Sequence, residues 1–177
     1  MTIYFITANK GKFNEAKSII PKIKQIDLDL PEIQELAPKK IIREKLSEAT
    51  GKHEGKFFCE DTSLYLNCMN GFPGPLIKWL LKSLGNDGIF NLVSKYKDKT
   101  AVAKTIIGYT DGKKIRFFSG KLEGTVVKPK GKKGFGWDGI FQPKGFNKTL
   151  AEMSKKEKNK ISMRKQALIK LKNYINS

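Results

Sequence analysis

Residues 2–20, TIYFITANKGKFNEAKSII, form a pattern of strand, tight turn and helix. Thr2–Thr7 is rich in β-branched and aromatic residues, which favour strands, and the polar segment 8–11 interrupts it. From Lys12 to Ile20 the apolar residues recur at helical spacing. A strand that leads through a short turn into a helix is typical of α/β proteins, and we expect that class here.

The rest of the chain alternates in the same way. We expect strands at Ile23–Leu30, Phe57–Cys59, Ser63–Asn67, Ala101–Tyr109 and Lys113–Val127, and helices at Pro38–His53, Pro75–Leu84, Asp87–Tyr96 and Lys155–Asn173. A turn or bulge is expected at Glu60–Thr62, bends or bulges at Gly120 and Gly124, and a hairpin turn at Asp111-Gly112. Lys128–Lys144 is too long and too rich in Gly, Pro and Lys for a simple turn, so it is either a mobile or a functional loop.

Size and composition limit the class of protein. The 177 residues, 39% of them hydrophobic, are enough for a single domain over residues 1–177, compact or two-lobed. No run approaches the roughly 18 apolar residues that cross a bilayer, and the opening residues do not form a secretion signal. Cys59 and Cys68 form neither a disulfide framework nor a metal-binding pair. We therefore expect a soluble cytoplasmic protein with no membrane partner.

The charge balance points to an anionic partner. Lys and Arg number 35 against 17 Asp and Glu, a formal net charge of +18, and all the cations but Arg43, Arg116 and Arg164 are lysines. Residues 121–172 hold 15 of these cations and 4 acids. Such a balance predicts nucleic acid or a phosphorylated small molecule as a partner, although base-edge recognition favours Arg. A solvated basic face explains the same segment.

The first turn is a candidate phosphate site. It brings the hydroxyl of Thr7, the amide of Asn9 and the ammonium of Lys12 to a helix N-terminus, where free N–H groups and the helix dipole favour anions. It is not a Walker loop, because GxxxxGK[ST] is absent and Phe13 stands where Ser or Thr would hold magnesium. An ordinary N-capped turn explains the same residues.

Two adjacent carboxylates, Glu60 and Asp61, follow the apolar run Phe57–Cys59. The carboxyl ends of strands are where α/β sheets place their sites. Neighbouring strand residues point to opposite faces, so only one of the two acids enters a given cleft. A carboxylate there needs a partner, either Mg²⁺ or a lysine, and a structural salt bridge is the alternative.

The segment Gly134-Phe135-Gly136-Trp137-Asp138-Gly139 follows the basic stretch 128–133. Aromatic rings between glycines offer flat faces on which a base stacks, and Asp138 can accept hydrogen bonds from purine N–H groups. A Trp and Phe plug over the end of the core is the competing interpretation.

A cation interrupts the apolar stripe of the last helix. Arg164 falls between Ile161 and Leu168 by helical spacing, so its guanidinium must be paired or must extend to solvent. Lys158 lies earlier, on the edge of the same face.

Six segments in register resemble the inosine/xanthosine triphosphate pyrophosphatases. They are TANKGKFNE (7–15), LPEIQE (30–35), EDTSL (60–64), GFPGPLIKW (71–79), FGWD (135–138) and AEMSKKEKNKISMR (151–164). The likeness covers nearly the whole chain. It implies an α/β fold with an elongated, curved mixed β-sheet, flanking helices and two lobes around a central cleft, usually assembled as a homodimer.

The resemblance also implies roles for individual residues. Asp61 and Glu32 would hold a catalytic Mg²⁺, with Mn²⁺ as a substitute, and Asp61 would be the general base supported by Glu15. The residues implied in substrate binding are Thr7, Ala8, Asn9, Lys10, Gly11, Lys12, Lys45, Thr62 and Lys78 on the phosphate side, and Phe135, Gly136, Trp137, Asp138, Lys158, Met163 and Arg164 on the base side. Asn9 and Lys12 would be the main phosphate contacts.

One position departs from the family pattern. This chain reads Ser162-Met163-Arg164 where the family usually reads Ser-His-Arg, so the usual histidine contact to the purine is absent. Selectivity for 6-keto purines is then either relaxed or rests on Arg164 and backbone donors. The sole histidine, His53, is expected to be structural or on the surface.

The activity implied is attack of water on the α-phosphorus of ITP, dITP or XTP, with release of pyrophosphate and a nucleoside monophosphate. One alternative is a basic module that binds single-stranded nucleic acid, which leaves the acids Glu32 and Asp61 unexplained. The other is a Maf-type nucleotide pyrophosphatase acting on modified pyrimidines or 7-methyl-GTP, which does not fit FGWD.

Overall fold

A computed structural model of the chain describes residues 2–30, 32–134 and 136–177. The strands are β1 (Ile3–Ile6), β2 (Ile23–Ile26), β3 (Lys56–Leu66), β4 (Pro73–Gly74), β5 (Thr100–Thr110), β6 (Ile115–Val126) and β7 (Phe141–Pro143). The helices are α1 (Lys10–Ile19), α2 (Pro38–Lys52), α3 (Ile77–Ser94), α4 (Lys155–Ile161) and α5 (Met163–Asn176). The predicted α/β class is confirmed.

The strands form one mixed sheet in the order β2-β1-β3-β5-β6-β7, with β4 paired to β3 off this path. β1 lies parallel to both β2 and β3, with Phe5 opposite Phe58. β4 and β7 pair antiparallel with β3 and β6. Only four residues join β5 to β6, too few for a parallel crossover, so these neighbours form the predicted hairpin.

The chain divides into two compact units. Unit 1 contains Met1–Asp61, Thr105–Gly120 and Arg164–Ser177, and unit 2 contains Thr62–Lys104 and Lys121–Met163. Each unit has a hydrophobic core of its own.

In unit 1 apolar side chains cover both faces of the sheet. On one face Phe5 stacks on Phe58 at 4.4 Å between ring centroids, and this pair packs with Ala16 of α1 and Leu168 of α5. On the other face Phe57 and Cys59 pack against α2 through Leu46 and its neighbours. The alternation along β3 therefore sends Phe58 towards α1 and α5 and Cys59 towards α2.

Unit 2 is built around α3 and the far ends of the long strands. Its core combines Leu64 and Leu66 of β3 with Ile89 and Val93 of α3, and Phe141 of β7 also packs there. The segment predicted as a mobile or functional loop, Lys128–Lys144, contains a 3-10 turn at Asp138–Ile140 and all of β7.

Helix boundaries follow local signals. Asn9 caps α1, Pro38 occupies the first turn of α2, and a capping box between Ser154 and Glu157 starts α4. The two helices expected around Gly85 are present as α3, whose backbone is non-helical at that glycine. The single helix expected over Lys155–Asn173 is wrong, because α4 ends at Ile161 and α5 begins after Ser162.

Two strand predictions also differ from the structure. β2 ends at Ile26 rather than Leu30, and β3 is a single strand through Glu60–Thr62, where a turn was one of the two expectations. β6 is likewise one strand through Gly120 and Gly124. A Cβ at Gly124 would lie 2.5 Å from the carbonyl oxygen of Gln142, so glycine is needed there for the close approach of β7.

Both cysteines are free thiols. Among the described residues, no helix combines the length and the apolar character that crossing a membrane requires.

Candidate active site

The turn between β1 and α1 is held by its own side chains. Asn9 Oδ1 accepts a hydrogen bond from the Lys12 amide at 3.0 Å, and the Asn9 amide donates to Thr7 Oγ1 at 3.1 Å. The turn is therefore N-capped, as the plainer interpretation held. The amides of Lys10 and Gly11 belong to the first helical turn, which lacks intrahelical acceptors, so an anion can still bind at this exposed end.

Behind this turn lies a buried carboxylate. The side chain of Glu60 is 2% exposed and forms an ion pair with Lys12 at 3.1 Å, Nζ to Oε1. Arg164 Nε donates to both carboxylate oxygens, at 2.9 and 3.0 Å, and Arg164 Nη1 lies 2.8 Å from Glu15 Oε2. We call these four residues the Glu60 network; all of them belong to unit 1.

The charges of the network keep Glu60 and Arg164 ionised. Burial by itself raises the pKa of Glu60, but the attraction of Arg164 and then of Lys12 outweighs it, so the pKa of this carboxyl lies below its ordinary value. Burial lowers the pKa of Arg164, and Glu60 and Glu15 more than reverse this, so its pKa is raised. The guanidinium predicted to be paired or to extend to solvent is thus paired.

Asp61 belongs to the opposite face of β3. It follows Cys59 by two residues, so its side chain points with Cys59 towards the α2 side, away from the Glu60 network. The expectation that Glu60 and Asp61 diverge is therefore met by the unbroken strand. Asp61 is half-buried.

Lys45 of α2 and Glu32 lie near this face. Lys45 Nζ is 3.2 Å from Glu32 Oε1. Burial raises the pKa of the Cys59 thiol to about 12, while the charge of Lys45 lowers it and those of Glu60, Asp61 and Glu32 raise it. The thiol therefore stays protonated at neutral pH. We call Glu32, Lys45 and Asp61 the Asp61 group.

Unit 2 carries a second ion pair, between Lys158 of α4 and Asp138. The Asp138 carboxylate is buried, and its Oδ2 accepts from Lys158 Nζ. Gly134 has a positive φ of 87°, and a Cβ there would lie 2.3 Å from the same oxygen. Glycine at 134 therefore leaves the space that the carboxylate occupies.

The neighbouring loop residues are anchored to the core of unit 2. Trp137 is buried and packs edge-on against Phe141 at 5.5 Å between ring centroids. The carbonyl oxygen of Gly136 accepts from Asn86 Nδ2 of α3 at 3.0 Å. Burial of the indole supports the interpretation of Trp137 as a cover on the end of the core. Phe135, predicted together with Trp137 to stack on a base, lies outside the described residues.

The remaining predicted residues are placed as follows. Lys78 is exposed on the first turn of α3, with Nζ 5.4 Å from the ring centroid of Trp79. Thr62 follows Asp61 on β3 and is half-buried. Met163, at the position where the family pattern has His, is buried in the apolar core of unit 2.

Sequence reasoning missed two residues of these groups. Of the two adjacent acids, only Asp61 was assigned a role. The signal for Glu60 was Arg164: a cation inside an apolar helix stripe needs a buried acid as its partner, and that acid is Glu60. Asn86 gave no signal beyond that of a helix-breaking Gly-Asn pair.

The donor chemistry of the Asp61 group fits a hard divalent cation. Within the part of the chain that the structure describes, no three or more His, Cys, Asp or Glu side chains are arranged to enclose a metal ion. Mg²⁺, however, is commonly held by one or two carboxylates, water and substrate phosphates, without an all-protein cage. Asp61 and the half-exposed Glu32 supply oxygen donors of that kind.

Fold and site together define a mixed α/β protein whose first helix begins at a capped, exposed turn and whose strand β3 carries two adjacent carboxylates. The model of the Ham1 family matches residues 3–174. The chain belongs to the Ham1 family.

The similarity to individual relatives covers nearly the whole chain. An inosine triphosphate pyrophosphatase of Schizosaccharomyces pombe is 44% identical and covers 99% of this chain and 96% of its own length. The solved structure of the Staphylococcus aureus Ham1 protein is similar with a TM-score of 0.81 at 25% identity, covering 99% of this chain and 98% of that one. A HAM1 protein from Coxiella burnetii has the same fold, with a TM-score of 0.80 at 21% identity over 99% and 98% of the two chains.

Proposed function

We propose that this chain hydrolyses deaminated purine nucleoside triphosphates, namely ITP, dITP and XTP, to the nucleoside monophosphate and pyrophosphate. The observation that carries the proposal is the 44% identity, over 99% of this chain, to a relative named inosine triphosphate pyrophosphatase. The groups described above supply the chemistry that such a reaction needs.

Unit 1 carries all but one of the residues that we assign to the phosphates, and the exception, Lys78, belongs to unit 2. The exposed amides of Lys10 and Gly11 and the ammonium of Lys12 form an anion site at the start of α1. Lys12 contacts Glu60 but keeps further N–H donors for a phosphate oxygen. Lys45 and Lys78 are assigned to the same substrate as additional cations that stabilise the leaving pyrophosphate.

We assign the divalent cation, Mg²⁺ with Mn²⁺ as a substitute, to Asp61 and Glu32. When bound, it would neutralise charge on the phosphates and lower the pKa of a coordinated water. The Glu32 carboxylate lies 3.2 Å from Lys45 Nζ, so this lysine would hold the carboxylate in place before the cation binds. A half-buried Asp61 is also suited to accept a proton from the attacking water.

Glu60 is not suited to accept that proton. Its carboxylate is buried and already receives hydrogen bonds from Lys12 and Arg164, which hold its pKa below the ordinary value. Of the two adjacent acids, Asp61 is therefore the better general base, and Glu15 acts indirectly, through Arg164.

Unit 2 carries the residues that we assign to the base. Asp138 accepts and Lys158 donates, which matches the N1–H donor and the O6 acceptor of a 6-keto purine. Adenine presents the opposite pattern at both positions, so ATP leaves two polar groups unpaired and is rejected. GTP shares N1–H and O6 with ITP, so this pair alone does not exclude it.

The test is hydrolysis with Mg²⁺ present. ITP, XTP, dITP, GTP and ATP are incubated with the protein, and pyrophosphate and monophosphate are quantified. Equal amounts of the two products from ITP, XTP and dITP are expected, with slow turnover of ATP. If none of the five yields them, the proposed activity is wrong.

Two other functions are separated by related assays. The net charge of +18 favours a nucleic-acid module, which requires tight, salt-sensitive binding to single-stranded oligonucleotides. A Maf-type activity requires turnover of modified pyrimidine triphosphates or 7-methyl-GTP in preference to ITP.

We also propose a cytoplasmic homodimer. Unit 2 exposes large apolar side chains, among them Phe72, Trp79 and Leu84, which suit a protein interface. Light scattering after size exclusion gives the mass: twice the 20.0 kDa of one chain is expected, and a monomer at assay concentrations contradicts it.

A further inference from the structure

The Glu60 network is graded in exposure from its centre outwards. The side chain of Glu60 is 2% exposed, Arg164 8%, Glu15 19% and Lys12 25%. A ligand arriving from solvent therefore meets Lys12 first and has little access to the acid that holds it.

The network links three elements into a closed ring of contacts. Lys12 and Glu15 lie three residues apart on α1, which places them on one side of that helix. Lys12 contacts Glu60 on β3, Glu60 contacts Arg164 on α5, and Arg164 returns to Glu15. The Glu60–Arg164 and Glu15–Arg164 contacts join residues 104 and 149 positions apart.

A gain in folding stability does not explain why the chain has such a network. Desolvating buried charges offsets most of their attraction, and apolar replacements of buried ion pairs are often as stable. Electrostatic attraction of a triphosphate does not explain it either, because the charges of two cations and two anions sum to zero. What the network does supply is a fixed position for the Lys12 ammonium, the network cation that lies on the first turn of α1.

We infer that Glu60 is a positioning residue that, braced by Arg164 and Glu15, holds the Lys12 ammonium at the β1–α1 turn for a substrate phosphate. The inference deepens the proposed function and rests on it. In this network Arg164 donates from Nε to Glu60 and from Nη1 to Glu15, so it braces the carboxylate that holds Lys12.

The test is a double-mutant cycle on affinity for inorganic tripolyphosphate, measured by titration calorimetry. Glu60→Gln keeps the shape of the side chain and removes its charge, and Lys12→Gln removes the cation. We expect Glu60→Gln to weaken binding about tenfold in the wild-type background and less than about twofold in the Lys12→Gln background. Equal losses in both backgrounds, or no loss in either, would overturn the inference.

Glu123→Gln is the matched control. Glu123 also contacts two lysines, Lys121 at 3.2 Å and Lys144 at 3.8 Å, but its side chain is half-exposed. Its substitution should leave tripolyphosphate affinity unchanged. A loss equal to that of Glu60→Gln would mean that any lost negative charge has this effect, which contradicts positioning.

If Glu60→Gln fails to fold, Glu60→Asp repeats the cycle with the charge kept and the carboxylate withdrawn by one methylene. The expected result is again a loss that depends on Lys12, and an additive loss overturns the inference. Arg164→Lys adds a second readout: it should weaken tripolyphosphate binding in the wild-type background and much less in the Lys12→Gln background, and equal losses in both would overturn the inference.

The experiments distinguish a failure of the proposed function from a failure of the positioning role. A wild-type protein that binds tripolyphosphate but hydrolyses no purine triphosphate contradicts the proposed function alone. A wild-type protein that hydrolyses ITP while the cycle is additive contradicts the positioning role alone.

Discussion

Gly134→Ala is expected to uncouple base recognition from phosphate binding. The new Cβ would lie 2.3 Å from Asp138 Oδ2, the oxygen that accepts from Lys158, and 3.1 Å from two further atoms of that side chain. The carboxylate must therefore move. Because it is buried, it has no solvent to replace the lysine contact that it loses.

The magnitude follows from two costs. A left-handed backbone costs an alanine about 1–2 kcal/mol, partly offset by about 0.4–1 kcal/mol because alanine restricts the unfolded chain. Loss of a hydrogen bond to a charged group adds about 1.5–3 kcal/mol. We expect Gly134→Ala to lower the free energy of unfolding by about 2–4 kcal/mol.

Gly145→Ala separates the cost of the left-handed backbone from the cost of the lost hydrogen bond. Gly145 has a φ of 84°, close to the 87° of Gly134, but a Cβ there would meet no atom within 4 Å. Its substitution should therefore lower the free energy of unfolding by about 1 kcal/mol or less. Urea denaturation of both variants gives the difference.

The functional readout compares two ligands. In Gly134→Ala we expect KM for ITP to rise at least tenfold, while affinity for tripolyphosphate stays at the wild-type value. Equal stability losses for the two alanine variants, or parallel loss of both ligands, would refute the reasoning that Gly134 makes room for the Asp138 carboxylate.

Three further predictions follow from unit 1. Asp61→Asn should reduce kcat for ITP by at least about a thousandfold with an unchanged circular dichroism spectrum, and near-normal turnover would remove Asp61 from its role. Because the pKa of Glu60 is lowered on folding, its ionised form stabilises the protein above the unfolded pKa, and this contribution is lost as pH falls through the folded value. The difference in unfolding free energy between wild type and Glu60→Gln should therefore shrink from about pH 7 to about pH 3, and a constant difference would contradict the shift. With its pKa raised to about 12, buried Cys59 should resist iodoacetamide in the native protein and react in urea, as mass spectrometry of labelled peptides can show.

Local signals predicted the helix starts well. Asn9 and Pro38 act within one turn of their own helices, and α1 and α2 begin next to or at these residues. The interruption at Ser162 was not predicted, because the apolar stripe continues from α4 into α5 and masks the break.

Strand β3 shows where local propensity fails. Glu60, Asp61 and Thr62 are polar and resemble a turn, yet the strand passes straight through them. On one side Phe58 pairs with Phe5 of β1, and on the other Leu64 pairs with Gly74 of β4. Pairing with neighbouring strands before and after the polar residues keeps the backbone extended between them, and β1 comes from a distant part of the chain.

The sequence by itself determined the α/β alternation, the capped turn before α1 and the divergence of Glu60 and Asp61, because each depends on residues within a few positions of one another. Only the tertiary structure decided which acid is buried and which cations hold it. One partner of Glu60, Arg164, lies 104 residues away on α5, and the partner of Asp138, Lys158, lies 20 residues away on α4. Burial and ion pairing of a charge depend on every element packed around it, and spacing along the chain carries no record of that packing.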